Sequence, residues 1–154
     1  MMISFDIDSS KFNFRAACIL IQNNQILFQQ AEGENYWFLP GGRVELHEDT
    51  TETLARELQE EFGFEMSEHR LVWIVENFFE LEGKTFHEIG FYYRVTIKPF
   101  DDQTEEIGIE PGYRNRWIDL KDLDQHDIVP SFIKDELLKM NTEDQTVKHF
   151  IHRT

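Results

Sequence analysis

Ala16-Ala17-Cys18-Ile19-Leu20-Ile21 is an unbroken apolar run with no alternation, the pattern of a strand buried on both faces. Such a strand cannot line one side of a two-layer fold; it needs cover above and below. The strand is expected over residues 12–21. Asn23-Asn24 then supplies a hairpin turn, because Asn tolerates positive φ, and residues 25–30 return. Trp37-Phe38-Leu39 is a short apolar piece that stops at the breaker cluster Pro40-Gly41-Gly42. Two β-rich runs, 71–81 and 85–97, flank Glu82-Gly83-Lys84 as a second hairpin, and 114–118 adds a further strand.

The cover is legible too. Asp49-Thr50-Thr51-Glu52 has the form of a capping box, Glu48 and Asp49 suit the positive end of a helix dipole, and Gly63 ends the helix after Phe62. A second amphipathic helix is expected over 131–140, with Ser131 as N-cap and Phe132, Ile133, Leu137 and Leu138 inward. Strands on both sides of one helix, with another helix late in the chain, place the protein in the α/β class as one domain over residues 1–154.

Charge restricts the partners. The 154 residues carry 15 Lys and Arg against 30 Asp and Glu, a net charge of −15. Nucleic acid and anionic membrane surfaces, both held through phosphates, are disfavoured. A small phosphorylated ligand requires a local reversal of sign, which a divalent cation supplies. The lone Cys18 cannot pair within the chain, Asp6 and Asp8 replace the basic start of a secretory leader, and no apolar run spans a bilayer. A cytoplasmic location is expected.

The first helix concentrates acid. With Glu57 at 0°, a 100° step puts Glu60 at about −60° and Glu61 at about +40°, one stripe of three carboxylates. Leu54, Leu58, Ala55 and Phe62 form the adjoining apolar stripe. Like charges on one helix face repel, so the stripe either faces solvent or awaits a cation. Oxygen-only donors suit Mg2+ or Mn2+ rather than Zn2+. Arg56 lies one turn from both Glu52 and Glu60 and can orient a carboxylate.

The preceding loop decides between the two. Gly42, five residues, Glu48, seven residues, then Arg56-Glu57-Leu58-Gln59-Glu60-Glu61-Phe62-Gly63-Phe64 resembles the Nudix box, G-x5-E-x7-R-E-U-x-E-E-x-G-U, with every fixed position met. Phe64 stands where an aliphatic residue is commoner. The flanks Trp37-Phe38-Leu39-Pro40-Gly41-Gly42 and Arg116-Trp117-Ile118-Asp119-Leu120 are also similar to family segments. The resemblance implies a Nudix-type α/β/α sandwich with a mixed β-sheet. It also implies a Mg2+-dependent hydrolase, with Mn2+ as a substitute, that cleaves a nucleoside diphosphate linked to another moiety. Nucleoside triphosphates, nucleotide sugars and ADP-ribose all fall in that class, and a nucleotide-sensing module without turnover is the alternative. Carried over by position, the Gly42 carbonyl, Glu57, Glu60 and Glu61 become metal ligands, and Arg56 and Glu48 hold the ligand carboxylates. The general base is Glu60, or Glu105, Glu106 or Glu110 in the acidic loop before Trp117. No proline lies between Pro40 and Pro99, which counts against the marker of ADP-ribose hydrolases. A homodimer is compatible with the family.

Outside the box, Arg15, Tyr36, Phe38, Gly41, Gly42 and Glu106 are the candidate substrate contacts. Arg15 either meets a phosphate or is a plain strand charge; Tyr36, Trp37 and Phe38 either stack on a base or pack in the core. His87-Glu88 reads as an ordinary strand pair whose side chains point to opposite faces, with a role lining the cleft as the other option. Cys18 reads as inert core, and His149, His152 and Arg153 as a surface tail.

Overall fold

The computed structural model describes residues 1–99, 111–140 and 143–154. Strand β2 (Ser10–Gln22) organises the fold. It forms hairpins with β1 (Ser4–Ile7) before it and β3 (Gln25–Ala31) after it. It also pairs in parallel with β6 (Lys84–Ile97) and in antiparallel with the three-residue β4 (Gly41–Arg43). Adding β5 (Met66–Leu81), β7 (Tyr113–Asp119) and β8 (Lys148–Arg153) gives a mixed sheet in the order β7-β3-β2-β6-β5-β8, with β1 and β4 attached to β2.

Alternate residues of β2 enter two separate cores. Ala16, Cys18 and Leu20 meet Leu54, Leu58 and Phe62 of helix α1 (Thr50–Phe62). Ala17 and Ile19 meet Ile128, Ile133 and Leu137 on the other face, where α2 (Ile133–Leu138) and a 3-10 turn (Leu120–Gln125) lie. The strand is covered on both sides, and the result is an α/β/α sandwich. Leu54 and Leu58 are essentially fully buried; each such side chain contributes about 1.5–3 kcal/mol.

The turns follow the residue chemistry. Asn23 and Asn24 adopt φ of 53° and 63°, and Glu82 and Gly83 adopt 52° and 76°, so both hairpins close on two positive-φ residues. Helix α1 opens on a complete capping box: Asp49 accepts from the Glu52 amide at 2.8 Å, and Glu52 accepts from the Asp49 amide at 3.0 Å. Gly63 closes it at φ 72°.

Four expectations need correction. The Pro40-Gly41-Gly42 breaker is partly a strand. Residues 37–43 wedge between β3 and β2: Phe38 exchanges both backbone bonds with Gln29, and the Pro40 carbonyl takes the Cys18 amide. The contact at Gly41 needs glycine, since a Cβ there would lie 2.1 Å from the Ala16 carbonyl oxygen. Second, α2 is shorter than residues 131–140, and Ser131 does not cap it. Phe132 already has helical dihedrals, and its ring, packed beside Trp73 and Phe150, sets the entry instead. Third, Leu138 is exposed rather than inward. Fourth, the C-terminal residues form β8, in parallel with β5. His149 there contacts Glu76 at 2.8 Å, and His152 contacts Asn77 at 3.1 Å.

Candidate active site

Arg56 is the hub of the loop and helix. Its Nε and Nη2 donate to the two oxygens of Glu48 at 2.8 and 2.9 Å, a bidentate pair. Glu48 also accepts from the Thr53 hydroxyl at 2.6 Å and the Glu45 amide at 3.2 Å. Arg56, with the other donors, pulls the Glu48 pKa down to about 2. The remaining arm, Nη1, reaches Glu57 at 2.8 Å and Glu60 at 3.4 Å, while Nη2 also points at the Arg43 carbonyl at 3.4 Å. Glu52, one turn before Arg56, is taken up by the capping box instead. Glu48 and Glu57 raise the already high pKa of Arg56, with the Glu48 bonds the largest cause.

The three box carboxylates are graded by depth. Glu61 is buried at the edge of the α1 core, where its charge acts on Cys18. The Glu57 side chain is 14% exposed and that of Glu60 59% exposed. Gly42 faces α1 from β4, and a Cβ on it would lie 2.3 Å from the Glu57 carboxylate, so the missing side chain brings backbone and carboxylate together. Oxygen donors from Gly42, Glu57, Glu60 and Glu61 fit a hard divalent cation by chemistry. Among the described residues no three His, Cys, Asp or Glu converge as they would around an ion; Arg56 holds two of these carboxylates itself.

Strand alternation makes β4 two-sided. Gly42 looks toward α1, whereas Arg43 lies opposite Arg15 on the other face. Arg15 donates to the Leu39 carbonyl at 2.7 Å, and its guanidinium sits 5.8 Å from the centre of the Phe38 ring. Register places Asn13, Glu88 and Asn77 in one row across β2, β6 and β5 on this same face. Burial raises the Glu88 pKa, opposed by Arg15, by a bond from the Asn13 side chain and by Arg43. The buried Tyr92 phenol is likewise raised, mainly by desolvation, with Glu88 and Arg15 the charges acting on it. The second face therefore holds a half-buried polar cluster of Arg15, Arg43, Glu88 and Asn13.

The sequence reading reached part of this. Arg15, Phe38, Gly41 and Gly42 all line the two sides of β4 or its approach. Tyr36 is half-buried beyond Phe38, its phenol raised by burial and then by Glu34 and Glu82. Trp37 is core, 6% exposed. His87 and Glu88 do point to opposite faces, and Glu88 belongs with the cluster. Asn13 and Arg43 were missed; only strand register joins them to Arg15, and spacing in one chain does not show register. Cys18 is fully buried, and desolvation raises its thiol. Glu105, Glu106 and Glu110 lie outside the described residues.

The model of the NUDIX domain matches residues 12–138. The chain belongs to the Nudix family. Diphosphoinositol polyphosphate phosphohydrolase 2 of Rattus norvegicus is 28% identical over 119 residues, covering 75% of this chain and 63% of that protein. The 8-oxo-dGTP diphosphatase of Buchnera aphidicola is 29% identical over 109 residues, covering 68% of this chain and 75% of that one. A Caenorhabditis elegans protein, 29% identical, is spanned over only 30% of its length, so this Nudix chain falls short of two thirds of some relatives. Among solved structures, a MutT protein of Bacillus halodurans superposes with a TM-score of 0.71 at 22% identity, over 92% of this chain and 90% of that one. A MutT Nudix hydrolase of Burkholderia pseudomallei gives 0.66 at 21% identity, over 81% and 96%. At these identities the superpositions establish the Nudix fold.

Proposed function

We propose that this Nudix domain hydrolyses a phosphoanhydride bond in a small nucleotide-type substrate, using Mg2+ or Mn2+. The observation that supports this best is the Arg56 hub, which ties Glu48, in the loop before α1, to Glu57 and Glu60 on the helix, where Gly42 meets Glu57. Glu57, Glu60, Glu61 and the Gly42 carbonyl would hold the cation. When bound, it neutralises non-bridging oxygens and makes water acidic enough to attack at neutral pH.

The chain's own residues supply the rest. Glu48 locks Arg56, and Arg56 steers Glu57 and Glu60. Across β4, Arg15 and Arg43 offer positive charge to a phosphate, which the net charge of −15 otherwise repels. Phe38 and Tyr36 offer faces to a base. Glu60, on the exposed side of the stripe, is the general base favoured among the described residues.

The two relatives' names suggest different substrates, and Glu88 favours one of them. A carboxyl on the same face as Arg15 and Arg43 suits a nucleotide with few phosphates better than a crowded polyphosphate. The lone, buried Cys18 and the charge also favour a cytoplasmic setting away from nucleic acid and membranes; no described helix is long and apolar enough to cross a membrane.

The test is a screen of nucleoside triphosphates, 8-oxo-dGTP, nucleotide sugars, ADP-ribose and a diphosphoinositol polyphosphate with Mg2+, Mn2+ or EDTA, products identified. Cleavage lost in EDTA and in Glu61→Gln is expected. Undiminished turnover in that variant overturns the assignment, and tight binding without product favours the sensing module.

A further inference from the structure

Most buried polar side chains in this protein are bonded. Asn13 accepts from Ser4 at 2.7 Å, Thr53 donates to Glu48 at 2.6 Å, and Asn77 meets His152 at 3.1 Å. Gln29 of β3 breaks the pattern. It is 3% exposed, yet no hydrogen bond reaches its carboxamide among the described residues. Its backbone is satisfied, exchanging both bonds with Phe38. A glutamine carries two donors and an acceptor, and burying them without partners costs stability that a leucine would not lose. Leu27, two residues earlier on the same side of β3, is such a leucine.

Position ties this amide to the box. Leu27 and Trp117 pair across β3 and β7 and pack into the α1 core, and Gln29 and Asn115 are the next pair on that side. Residues 38–42 run between Gln29 and the box helix. Phe38 bonds Gln29, the Pro40 carbonyl takes the amide of Cys18, on which the Glu61 charge acts, and Gly42 meets Glu57. Gln29 and the donors Gly42, Glu57 and Glu61 therefore flank one short segment on the α1 side of the sheet. Gln30 also lacks a side-chain bond among the described residues, but alternation turns it to the other side, opposite Arg114.

We propose that the Gln29 carboxamide binds the substrate, its Nε2 donating to a phosphate oxygen beside the cation-holding carboxylates. The assignment rests on phosphoanhydride hydrolysis as the activity of the domain. Arg15 and Arg43 approach a phosphate from the other side of β4. On the α1 side, Arg56 is occupied by Glu48 and Glu57, so Gln29 supplies the open donor. A neutral amide suits the place. In a chain of −15 a further carboxylate would repel the phosphate, and a lysine or arginine would compete with the cation for Glu57 and Glu61. The bond forms only with substrate present, so the free protein is less stable than it would be with an apolar side chain at this position.

The experiment compares Gln29→Met and Gln29→Glu with wild type. It measures melting without ligand, calorimetric binding of methylenediphosphonate with Mg2+, and kinetics on the substrate returned by the screen. Methionine keeps the length and removes the polar atoms. For Gln29→Met a melting temperature at or above wild type is expected, with diphosphonate binding and kcat/KM both lower by about 10–100-fold. Gln29→Glu should bind the diphosphonate more weakly still. A structural glutamine gives the opposite first result, so a Gln29→Met protein that melts well below wild type overturns the proposal. So do diphosphonate binding by either variant equal to that of wild type, and a wild type that binds none. A wild type that binds the diphosphonate but cleaves nothing in the screen defeats the hydrolase assignment alone, because melting and binding still decide the role of Gln29.

Discussion

Arg56 grips both oxygens of Glu48, at 2.8 and 2.9 Å, from eight residues further along the chain. The pair ties the loop after β4 to the body of α1 and leaves Nη1 of the same arginine for Glu57. Because Glu48 titrates at about 2 in the fold rather than 4.5, its contribution is fully present above pH 4.5 and is lost as pH falls toward 2. The size is about 3 kcal/mol for a largely shielded pair. Urea unfolding of wild type and Glu48→Gln at pH 7 and pH 3 measures it. The gap between them should be large at pH 7 and reduced by about half at pH 3; a gap independent of pH excludes the linkage.

Gly41 and Gly42 stand side by side but answer to different neighbours. A Cβ at Gly41 meets the Ala16 backbone at 2.1 Å, whereas at Gly42 it meets the end of the Glu57 side chain. Backbone cannot yield, but a glutamate can turn aside. Gly41→Ala should therefore cost about 1–3 kcal/mol of stability. Gly42→Ala should lose little stability but about 10–100-fold in Mg2+-supported turnover, by displacing Glu57. Thermal melts and steady-state kinetics on the two variants separate these effects; the reverse ordering excludes the assignment.

Much of the fold was legible because its signals are local. The apolar run at Ala16, the Asn23-Asn24 turn, the Asp49–Glu52 capping box and the Gly63 stop each depend on a few adjacent residues, and each is found where expected. The box gave the Arg56–Glu48 pairing through its resemblance to a family pattern. What was hidden depends on distant partners. Gly41 is a strand residue only because β3 and β2 diverge to admit it. Phe132 replaces Ser131 at the start of α2 because Trp73 and Phe150 hold its ring. Asn13, Arg43 and Glu88 meet only through the register of three strands.

Arg15 should act in substrate binding rather than in the chemical step. It lies across β4 from the box carboxylates, beside Arg43 and Phe38. Removing one charged hydrogen bond to a phosphate costs about 1.5–3 kcal/mol, so Arg15→Ala should raise KM tenfold or more with kcat nearly unchanged. Glu88→Gln keeps a polar partner for Asn13 and removes the charge. It should lower KM most for the substrates carrying the most phosphates. Kinetics on a mono-, di- and triphosphate series tests both; a kcat loss in Arg15→Ala with KM unchanged refutes the binding role.

The C-terminal strand makes the sharpest contrast between neighbouring side chains. Phe150 points into the α2 side of the sheet, 5.9 Å from Trp73 and 5.0 Å from Phe132, while His149 and Ile151 face the other way and are exposed. Since Phe132 sets the entry to α2, losing Phe150 frees that ring as well as removing its own contacts. Phe150→Ala should cost about 2–3 kcal/mol, less than a fully buried phenylalanine because the residue is only partly covered. His149→Ala should lie within about 0.5 kcal/mol of wild type, as an exposed side-chain contact with Glu76 contributes little. Chemical denaturation of both variants decides it. Equal, negligible losses would mean that the last strand does not secure α2, and amide exchange at Ile133 and Leu137 would then match wild type.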